Sequence, residues 1–449
     1  MELAGKNVVV VGLGKSGLAA ARFALSLGAR VVATDSKGEG EMAAEARALG
    51  AKGARLFLGG NPASAFEGAQ LVAVSPGVPL SLPVLEGARR RGVPVVGDVE
   101  FASWYLSAPA LAVTGTNGKS TVTSLLGEIV RASGKKPFVG ANLGTPVFEA
   151  IGADFDSLVL ELSSYQIETL ASLHPRVAVL LNVSDDHLDR YPSFEHYRRA
   201  KARLLSLVPE EGCVVSNLDN PPSMDFPEGL KARRRIGFTI EGRPAPAGWE
   251  RVHAEGRTAV FSGGERIDLS KSPLVGRHNL ANLLAAAAAA RAFGISAGDV
   301  EKGAAAFQGL HHRCEFVAEV GGVKFYDDSK GTNVDAVVQC LKGFETPVVL
   351  IAGGVGKGGS YAPLAEAGRG KLRHAVLIGE EKSSIARALE GVCPAAEAPS
   401  MQEAVRLAAR AARAGESVVL SPACSSFDMF RDYADRGDQF QAAVRGLRL

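Results

Sequence analysis

The stretch that decides the fold is Thr114-Gly115-Thr116-Asn117-Gly118-Lys119-Ser120-Thr121, which follows the apolar run Ala110 to Val113 and precedes a predicted helix reaching Ser133. A strand, a Gly-rich turn and a Lys-Ser pair at a helix start are typical of a phosphate-binding loop. Backbone N–H groups at a helix N-terminus lack intrahelical partners and lie at the positive end of the helix dipole, so they attract phosphate oxygens. Lys119 would add a point charge, and the Ser120 hydroxyl would contact Mg²⁺. An ordinary strand-to-helix turn is the alternative.

This loop departs from the general phosphate-loop pattern at one place. Where that pattern begins with Gly, the chain has Val113. Gly115 and Gly118 still allow the backbone to close around a phosphate. The loop therefore predicts phosphate binding without naming a reaction.

Length and composition limit the class of protein. At 449 residues the chain is too long for one core, and about 150 residues per domain predicts about three domains. Its 50 basic and 48 acidic residues nearly cancel, which argues against a nucleic-acid surface. The five cysteines are widely spaced and lack a CxxC pair, so reduced structural thiols are expected. Without an apolar stretch of about 18 residues or a secretory signal, we expect a cytoplasmic protein that does not enter a membrane.

Short Val-rich runs alternate with amphipathic stretches along the whole chain, which predicts parallel sheets covered by helices. The predicted strands include Val8 to Val11, Val31 to Thr34, Leu71 to Ser75, Val93 to Val96, Ser157 to Leu160 and Val177 to Leu181. The fold class expected is α/β with three domains: a Rossmann-like domain over residues 1–97, a central P-loop ATPase-like parallel-sheet domain over 98–309, and a second Rossmann-like domain over 310–449. Residues 221–248 are rich in Pro and Gly and are interpreted as irregular. A helix over 280–293 should end at Gly294, and Ser400-x-x-Glu403 predicts a capping box.

A second glycine cluster, Gly12 to Gly17, follows the first predicted strand, and Asp35 ends the next one. This pattern matches a dinucleotide fingerprint, so a nicotinamide dehydrogenase is one interpretation. A UDP-sugar would satisfy the same pattern, because its diphosphate can also lie on a helix N-terminus beside an acid. Lys15 and Lys37 could serve that site or be ordinary surface lysines.

Three residues of the predicted central domain are candidate metal ligands. Glu161 ends a predicted strand, where a hard oxygen ligand suits Mg²⁺, although it could instead cap a helix. His187 follows another strand and could ligate a metal, hold a substrate carboxylate or be structural; the acids at 185, 186 and 189 around it could cap the next helix. Lys201 lies on an apolar helical stripe, so it either snorkels to solvent or is buried. A buried, neutral lysine amine can react with carbon dioxide to give a carbamate that would hold a second Mg²⁺.

Six motifs together resemble the Mur ligase superfamily, the ATP-dependent enzymes that add amino acids to the peptidoglycan precursor. They are Thr114 to Thr121, Glu161-Leu-Ser-Ser-Tyr-Gln166, Asp186-His-Leu-Asp189, Gly276-Arg-His-Asn-Leu-Ala-Asn282, His312-Arg313 and Asp328-Ser-Lys-Gly-Thr-Asn333. The resemblance covers the whole chain. The tail from Ser421 to Phe430, with Arg436-Gly437, is similar to the D-glutamate-adding members, and the Asp-Asn-Pro-Arg segment of the diaminopimelate-adding member is missing.

The resemblance implies an amide ligase that joins D-glutamate to UDP-N-acetylmuramoyl-L-alanine through an acyl phosphate, using ATP and two Mg²⁺ ions. It also implies catalytic roles for Lys119, Glu161, His187, Lys201 and Lys330. We expect a monomer. The ATP-binding residues implied are Gly115, Thr116, Asn117, Gly118, Lys119, Ser120, Thr121, Asn282, Arg313 and Asp328. The metal ligands implied are Ser120, Glu161, His187 and carbamylated Lys201. The UDP-substrate residues implied are Gly14, Lys15, Ser16, Asp35, Ser36, Lys37, Gly77 and Asn142, and those for D-glutamate are Thr332, Lys357, Ser421 and Phe427.

Three positions depart from the family pattern. Lys37 stands where related enzymes often have Arg, which puts bidentate recognition of the uracil in question. The loop Gly353 to Lys357 lacks an Asp common in the family, leaving Lys357 without an obvious partner. Gly331 stands where Ala is usual, a change we expect to be tolerated.

Overall fold

The computed structural model describes residues 2–41, 44–187, 190–226, 229–274 and 276–447. Within these ranges the chain forms three separate sheets of five, nine and six strands, in chain order. Asp189, one of the acids considered as a helix cap, lies outside the described residues.

The N-terminal sheet is entirely parallel, with strand order β3-β2-β1-β4-β5. Its elements are β1 (Asn7–Val11), α1 (Lys15–Ser26), β2 (Arg30–Asp35), α2 (Ala44–Ala51), β3 (Arg55–Leu58), β4 (Leu71–Val74), α3 (Pro83–Arg90), β5 (Val95–Gly97) and α4 (Asp98–Ser103). Both faces are covered, so the β1 residues Val8 to Val11 are at most 1% exposed. Four of these strands were predicted, whereas β3 was not.

The middle sheet has strand order β14-β13-β12-β11-β10-β9-β6-β8-β7, with antiparallel pairing confined to β12-β13 and β13-β14. Its elements are β6 (Ala110–Thr114), α5 (Lys119–Ala132), β7 (Pro137–Ala141), β8 (Ser157–Glu161), α6 (Ser164–Glu168), β9 (Val177–Leu180), α7 (Phe194–Ser206), β10 (Cys213–Asn217), α8 (Pro221–Met224), β11 (Arg234–Thr239), β12 (Glu250–Glu255), β13 (Thr258–Phe261), β14 (Arg266–Asp268), α9 (Arg277–Phe293) and α10 (Ala297–Ala306).

Small residues bring the helices of this domain close together. The alanines from 285 to 290 in α9 are fully buried against the sheet and α5. A Cβ atom on Gly303 of α10 would lie 2.4 Å from the Cα of Ile129 in α5. This packing fixes α5, and therefore Lys119 at its first position, at the carboxyl edge of β6.

The C-terminal sheet has strand order β15-β16-β20-β17-β18-β19 and is parallel except for the β15-β16 pair. Its elements are β15 (Glu315–Val320), β16 (Val323–Asp327), α11 (Val334–Lys342), β17 (Val348–Gly353), α12 (Ala362–Gly368), β18 (Leu372–Ile378), α13 (Lys382–Ala388), β19 (Ala395–Glu397), α14 (Met401–Ala411), β20 (Ser417–Leu420) and α15 (Tyr433–Arg445).

Two local predictions were wrong. Residues 221–248 are not irregular throughout, because β11 pairs in parallel with β10 there; its Arg234-Arg235 start hides the strand from a hydropathy pattern. The expected capping box at α14 is only half formed. Ser400 accepts a hydrogen bond from the Glu403 N–H, but the Glu403 carboxylate pairs with Arg406. The predicted end of α9 is confirmed, since Gly294 follows it in the left-handed conformation.

Among the described residues, no helix is both long enough and apolar enough to cross a membrane.

Candidate active site

The phosphate loop turns sharply into α5 at Gly118, whose φ is 85°. A Cβ atom there would lie 2.5 Å from Oδ1 of Asn282, so both the positive φ and the close approach require glycine. Lys119 is the first residue of α5, and its Nζ lies inside the loop, donating to the carbonyl oxygens of Gly115 at 2.9 Å and Thr116 at 2.8 Å. The loop thus surrounds a cation next to the unpaired N–H groups of a helix start.

Side chains from two other segments fix this loop. Asn182, after β9, accepts from the Asn117 N–H at 2.8 Å and donates to the Asn117 carbonyl at 3.0 Å. Asp335, in the first turn of α11, accepts from the Asn117 side chain at 2.7 Å and from the Ser184 hydroxyl at 3.0 Å. Sequence reasoning missed both residues. Asn182 follows a predicted strand, which is a usable signal, whereas Asp335 belongs to a different domain.

Glu161 ends β8 beside the loop and is only 2% exposed. Its Oε1 accepts from the Asn142 side chain at 2.7 Å, while its Oε2 is buried without a hydrogen-bond partner among the described residues. The helix-cap interpretation is wrong, because Ser163 caps α6 and forms a capping box with Gln166. A buried, unpartnered carboxylate oxygen beside a phosphate loop is the donor that Mg²⁺ requires, so the residues present fit this ion.

His187 follows Asp186 in a left-handed backbone conformation, with φ at 57°. Its ring contacts those of Tyr165 and Tyr197, with centroids 5.2 and 5.9 Å away. Burial lowers the pKa of His187, and Asp186 only partly opposes this shift. The neutral imidazole needed by a metal ligand is therefore favoured near neutral pH. The cap of α7 is Ser193, so Asp185 and Asp186 do not have that role.

Lys201 does not snorkel to solvent. It is 2% exposed in the middle of α7, with Nζ donating to the Gly115 carbonyl at 2.9 Å and lying 4.7 Å from the ring centroid of Tyr197. Burial, reinforced by the nearby charge of Lys119, moves the pKa of this ammonium well below its ordinary value. The amine is therefore readily neutral, and it lies at the phosphate loop.

The C-terminal domain contributes the opposite wall. The Arg313 guanidinium donates to the Ser120 hydroxyl at 3.0 Å, which joins this domain to the phosphate loop. Asp328 follows β16 and accepts from the Cys314 N–H at 3.2 Å and the Ser421 hydroxyl at 2.6 Å. Burial raises the pKa of Asp328 to about 6. Burial also lowers the pKa of Lys330 to about 8, and its Nζ lies 4.9 Å from the ring centroid of Tyr433.

Lys357 has partners that the sequence did not reveal. Its Nζ lies 3.4 Å from Oδ1 of Asp186 and 3.4 Å from the Thr332 hydroxyl. Asn333 donates to the other oxygen of Asp186 at 3.2 Å. A middle-domain carboxylate is thus the partner of Lys357. Phe427, whose backbone was expected to contact D-glutamate, has a side chain that is 73% exposed.

Five basic side chains cluster between the middle domain and the C-terminal domain. Lys119, Lys201, Lys330, Lys357 and Arg313 act electrostatically on one another or on the same carboxylates, Glu161 and Asp186. Burial lowers the pKa values of four of these cations, Lys119, Lys201, Lys330 and Arg313. Buried cations that are not fully neutralised fit an anionic ligand with several charges, such as a nucleoside triphosphate.

A further buried cation, Arg436, connects two segments of the third domain by hydrogen bonds. Arg436 is 0% exposed and donates to the carbonyls of Ser329 at 2.7 Å and Cys424 at 3.1 Å. These two carbonyls belong to the segments that carry Lys330 and Phe427. The sequence marked Arg436 only as part of a family motif, and its bracing role depends on contacts between distant segments.

The second glycine cluster forms its own cradle at the carboxyl edge of β1. Asp35 accepts from the Leu13 N–H at 2.6 Å and the Lys37 N–H at 2.9 Å, so its carboxylate holds the Gly12–Gly17 loop. Gly14 caps α1, and Lys15 and Ser16 form its first turn. The side chains of Lys15, Ser36 and Lys37 are exposed. The space around Gly77 is open, since no described atom lies within 4 Å of a Cβ atom built there.

Family models match all three parts of the chain. The Mur ligase MurD-like N-terminal domain matches residues 6–97, the Mur ligase middle domain residues 113–290, and the Mur ligase glutamate ligase domain residues 312–424. The chain therefore belongs to the Mur ligase family, as the resemblance predicted.

Curated relatives within this family share the name of one particular ligase. Proteins named UDP-N-acetylmuramoylalanine--D-glutamate ligase from Geotalea daltonii, Syntrophotalea carbinolica and Myxococcus xanthus are 42%, 43% and 43% identical to it, over 100% of this chain and 99% to 100% of theirs.

Solved structures share the fold at lower identity. A pseudomurein peptide ligase type C from Methanothermus fervidus aligns with a TM-score of 0.62 at 18% identity, over 99% of this chain and 100% of the other. The UDP-N-acetylmuramate-alanine ligase MurC from Thermotoga maritima aligns with a TM-score of 0.60 at 18% identity, over 98% of this chain and 99% of the other. The three-domain α/β architecture predicted from the sequence is thereby confirmed.

Proposed function

We propose that this protein is an ATP-dependent amide ligase that joins D-glutamate to UDP-N-acetylmuramoyl-L-alanine in peptidoglycan precursor synthesis. The full-length similarity to ligases of that name supports the substrates, and the buried cation cluster supports phosphoryl transfer. We further propose that the chain acts as a cytoplasmic monomer, with domains over residues 1–97, 98–309 and 310–449.

One observation carries the proposal. The Arg313 guanidinium of the third domain reaches the Ser120 hydroxyl of the phosphate loop, and the Oε2 of Glu161 is buried with no hydrogen-bond partner among the described residues. A triphosphate in this position would meet cations from both domains and a metal-binding carboxylate. This arrangement suits transfer of the terminal phosphoryl group, because such catalysis depends on positioning and charge neutralisation.

The chemistry would proceed in two stages. The terminal carboxylate of the UDP-linked substrate takes the γ-phosphoryl group to form an acyl phosphate, and ADP leaves. The amine of D-glutamate then attacks the acyl carbon, loses a proton and expels phosphate to leave an amide. Lys119 and Arg313 would neutralise the charge on the transferred group, and Asn282 and Asp328 would hold the nucleoside.

Two magnesium positions are proposed. Ser120 and Glu161 would hold the first ion, and His187 with carbamylated Lys201 would hold the second. Bound Mg²⁺ would neutralise charge on the phosphoryl oxygens. The Lys201 ammonium would first lose a proton, and the neutral amine would then add to carbon dioxide and lose a second proton, so that a buried cation becomes an anion. The lowered pKa of Lys201 and its burial beside the phosphate loop support this modification.

The remaining proposed contacts would bind the UDP-linked substrate and D-glutamate. The Gly12–Gly17 loop, Asp35 to Lys37 and Gly77 would bind the uridine diphosphate, and Asn142 would meet the substrate near Glu161. Lys357, Thr332 and the segment around Phe427 would hold the carboxylates of D-glutamate. Ser421 is bonded to Asp328 and 0% exposed, so it would act on D-glutamate only if that bond opens.

Phosphate release from ATP tests the proposal directly. It should require both UDP-N-acetylmuramoyl-L-alanine and D-glutamate, and L-glutamate, L-lysine and diaminopimelate should be inert. Equal turnover of these amino acids would favour another ligase of the family. Hydride transfer to a nicotinamide, the remaining alternative for the second glycine cluster, finds no support because that cluster, Gly12 to Gly17, lies within the matched Mur ligase N-terminal domain.

A further inference from the structure

Arg190 connects the middle domain to the N-terminal domain. Its guanidinium donates from Nη1 to the Pro76 carbonyl at 3.1 Å and from Nη2 to the Val78 carbonyl at 3.2 Å. Its Cζ also lies 3.7 Å from the ring centroid of Tyr165. The planar guanidinium therefore stacks on an aromatic ring of the middle domain, and both of its terminal nitrogens donate hydrogen bonds to the N-terminal domain.

The carbonyls that Arg190 holds belong to a tight turn from Ser75 to Val78. The Val78 N–H donates to the Ser75 carbonyl at 3.0 Å and closes this turn. The Ser75 hydroxyl in turn donates to the Gly12 carbonyl at 2.7 Å, and a Cβ atom on Gly12 would lie 2.7 Å from a methyl of Val78. The turn therefore rests directly on the glycine loop proposed to bind the uridine diphosphate.

The other end of this connection lies at the proposed second metal position. Tyr165 contacts the His187 ring at 5.2 Å and stacks on Tyr191 with an interplanar angle of 16°. The backbone N–H of Arg190 donates to the His187 carbonyl at 3.0 Å. Arg190 thus touches the segment of His187 through both its backbone and its stacked ring.

We propose that Arg190 is a positioning residue that sets the distance between the uridine diphosphate cradle and the reacting centre. This inference rests on the proposed function and deepens it. The UDP-linked substrate must span from the glycine loop to the phosphate loop, so its carboxylate reaches the phosphoryl group only when the two domains hold a fixed spacing. Lysine cannot replace the guanidinium, because it lacks the planar pair of donors and the stacking face.

Steady-state kinetics of Arg190→Lys test the inference. The KM for UDP-N-acetylmuramoyl-L-alanine should rise about tenfold, as expected for loss of one charge-assisted hydrogen bond, while the KM for ATP stays unchanged. Arg199→Lys is the matched control, since Arg199 lies nearby in the chain, is 70% exposed and pairs with Glu195 alone among its described partners. Its kinetics should equal those of the wild type.

The outcomes separate this inference from the proposed function. If wild-type protein does not release phosphate with both substrates present, the proposed function fails and no KM can be compared. If wild type is active and Arg190→Lys keeps the wild-type KM for the UDP-substrate, the positioning role is overturned. Equal increases in both KM values, with a lowered melting temperature, would also overturn it by showing a general structural role.

Discussion

Lys119 and Lys201 donate hydrogen bonds to the same backbone oxygen, the carbonyl of Gly115, each at 2.9 Å. One lysine starts α5 and the other lies within α7, so the phosphate loop is held between two helices by two cations. Because like charges this close disfavour each other, Lys201, the more deeply buried, is the lysine that most readily becomes neutral.

Replacement of Lys201 by Ala should reduce phosphate release by roughly a hundredfold or more, because the anion proposed to hold a metal is lost. A short carboxylic acid in the assay should partly restore the activity of this variant. Carbon-13 NMR of wild-type protein supplied with labelled bicarbonate should show a carbamate signal that Lys201→Ala lacks. Undiminished activity of the variant would refute the carbamate.

Asp328→Asn should change how stability depends on pH. The pKa of Asp328 is raised to about 6 in the folded protein from an ordinary value of 3.8, so the folded state holds this proton more tightly than the unfolded state. The free energy of unfolding of wild type should therefore fall as pH rises from about 4 to about 6, and this contribution should be level above that range. The variant lacks this contribution.

Urea denaturation at about pH 5 and about pH 7.5 measures the effect. Relative to wild type, Asp328→Asn should gain about 1 to 2 kcal/mol over this interval. The same variant should bind ATP more weakly, which a direct titration would show. A difference between the two proteins that does not vary with pH would contradict the prediction.

Asp335→Ala should weaken ATP use without unfolding the protein. The carboxylate accepts hydrogen bonds from Asn117 in the phosphate loop and from Ser184, so its removal takes away one of the third domain's contacts with the loop. We expect the KM for ATP to rise about five- to tenfold, the cost of about one hydrogen bond. Lys342→Ala, an exposed change in the same helix, is the control. Small-angle scattering with an ATP analogue should show Asp335→Ala to be the more open protein.

Gly331→Ala should be harmful in this chain, contrary to the expectation that Gly and Ala are interchangeable at this position. A Cβ atom at this position would lie 2.6 Å from Oδ2 of Asp328 and 2.9 Å from the Ser421 hydroxyl oxygen. These two side chains are hydrogen-bonded at 2.6 Å, so the methyl group would have to push them apart. We expect a loss of about 1 to 2 kcal/mol of stability and weaker ATP binding, measured by denaturation and titration. Unchanged values for both would contradict the close contact.

The sequence predicted most of the sheet strands and the two glycine cradles, because buried parallel strands are continuous apolar runs and glycines mark their sharp turns. Strand β11 was missed since it starts with two arginines. The phosphate loop was predicted as a site because its residues are adjacent in the chain.

Contacts between domains could not be predicted in this way. The pairing of Lys357 with Asp186 and of Asp335 with Asn117 joins residues far apart in the chain, and no local pattern encodes such a meeting. The burial of Lys201 was only one of two possibilities on its stripe. The hydrogen bond from Asn142 to Glu161 was likewise absent from the sequence interpretation, although both residues were selected.

The reach of Arg313 to Ser120 also has a consequence for biosynthesis. Domains generally fold as units as they leave the ribosome, the N-terminal one first. The phosphate loop is therefore made long before its guanidinium partner, and a nascent or truncated chain that stops short of Arg313 would carry a nucleotide cradle without the third domain's charge. Such a chain would bind ATP without the Arg313 guanidinium that neutralises the transferred phosphoryl group. Incomplete chains should therefore consume little ATP.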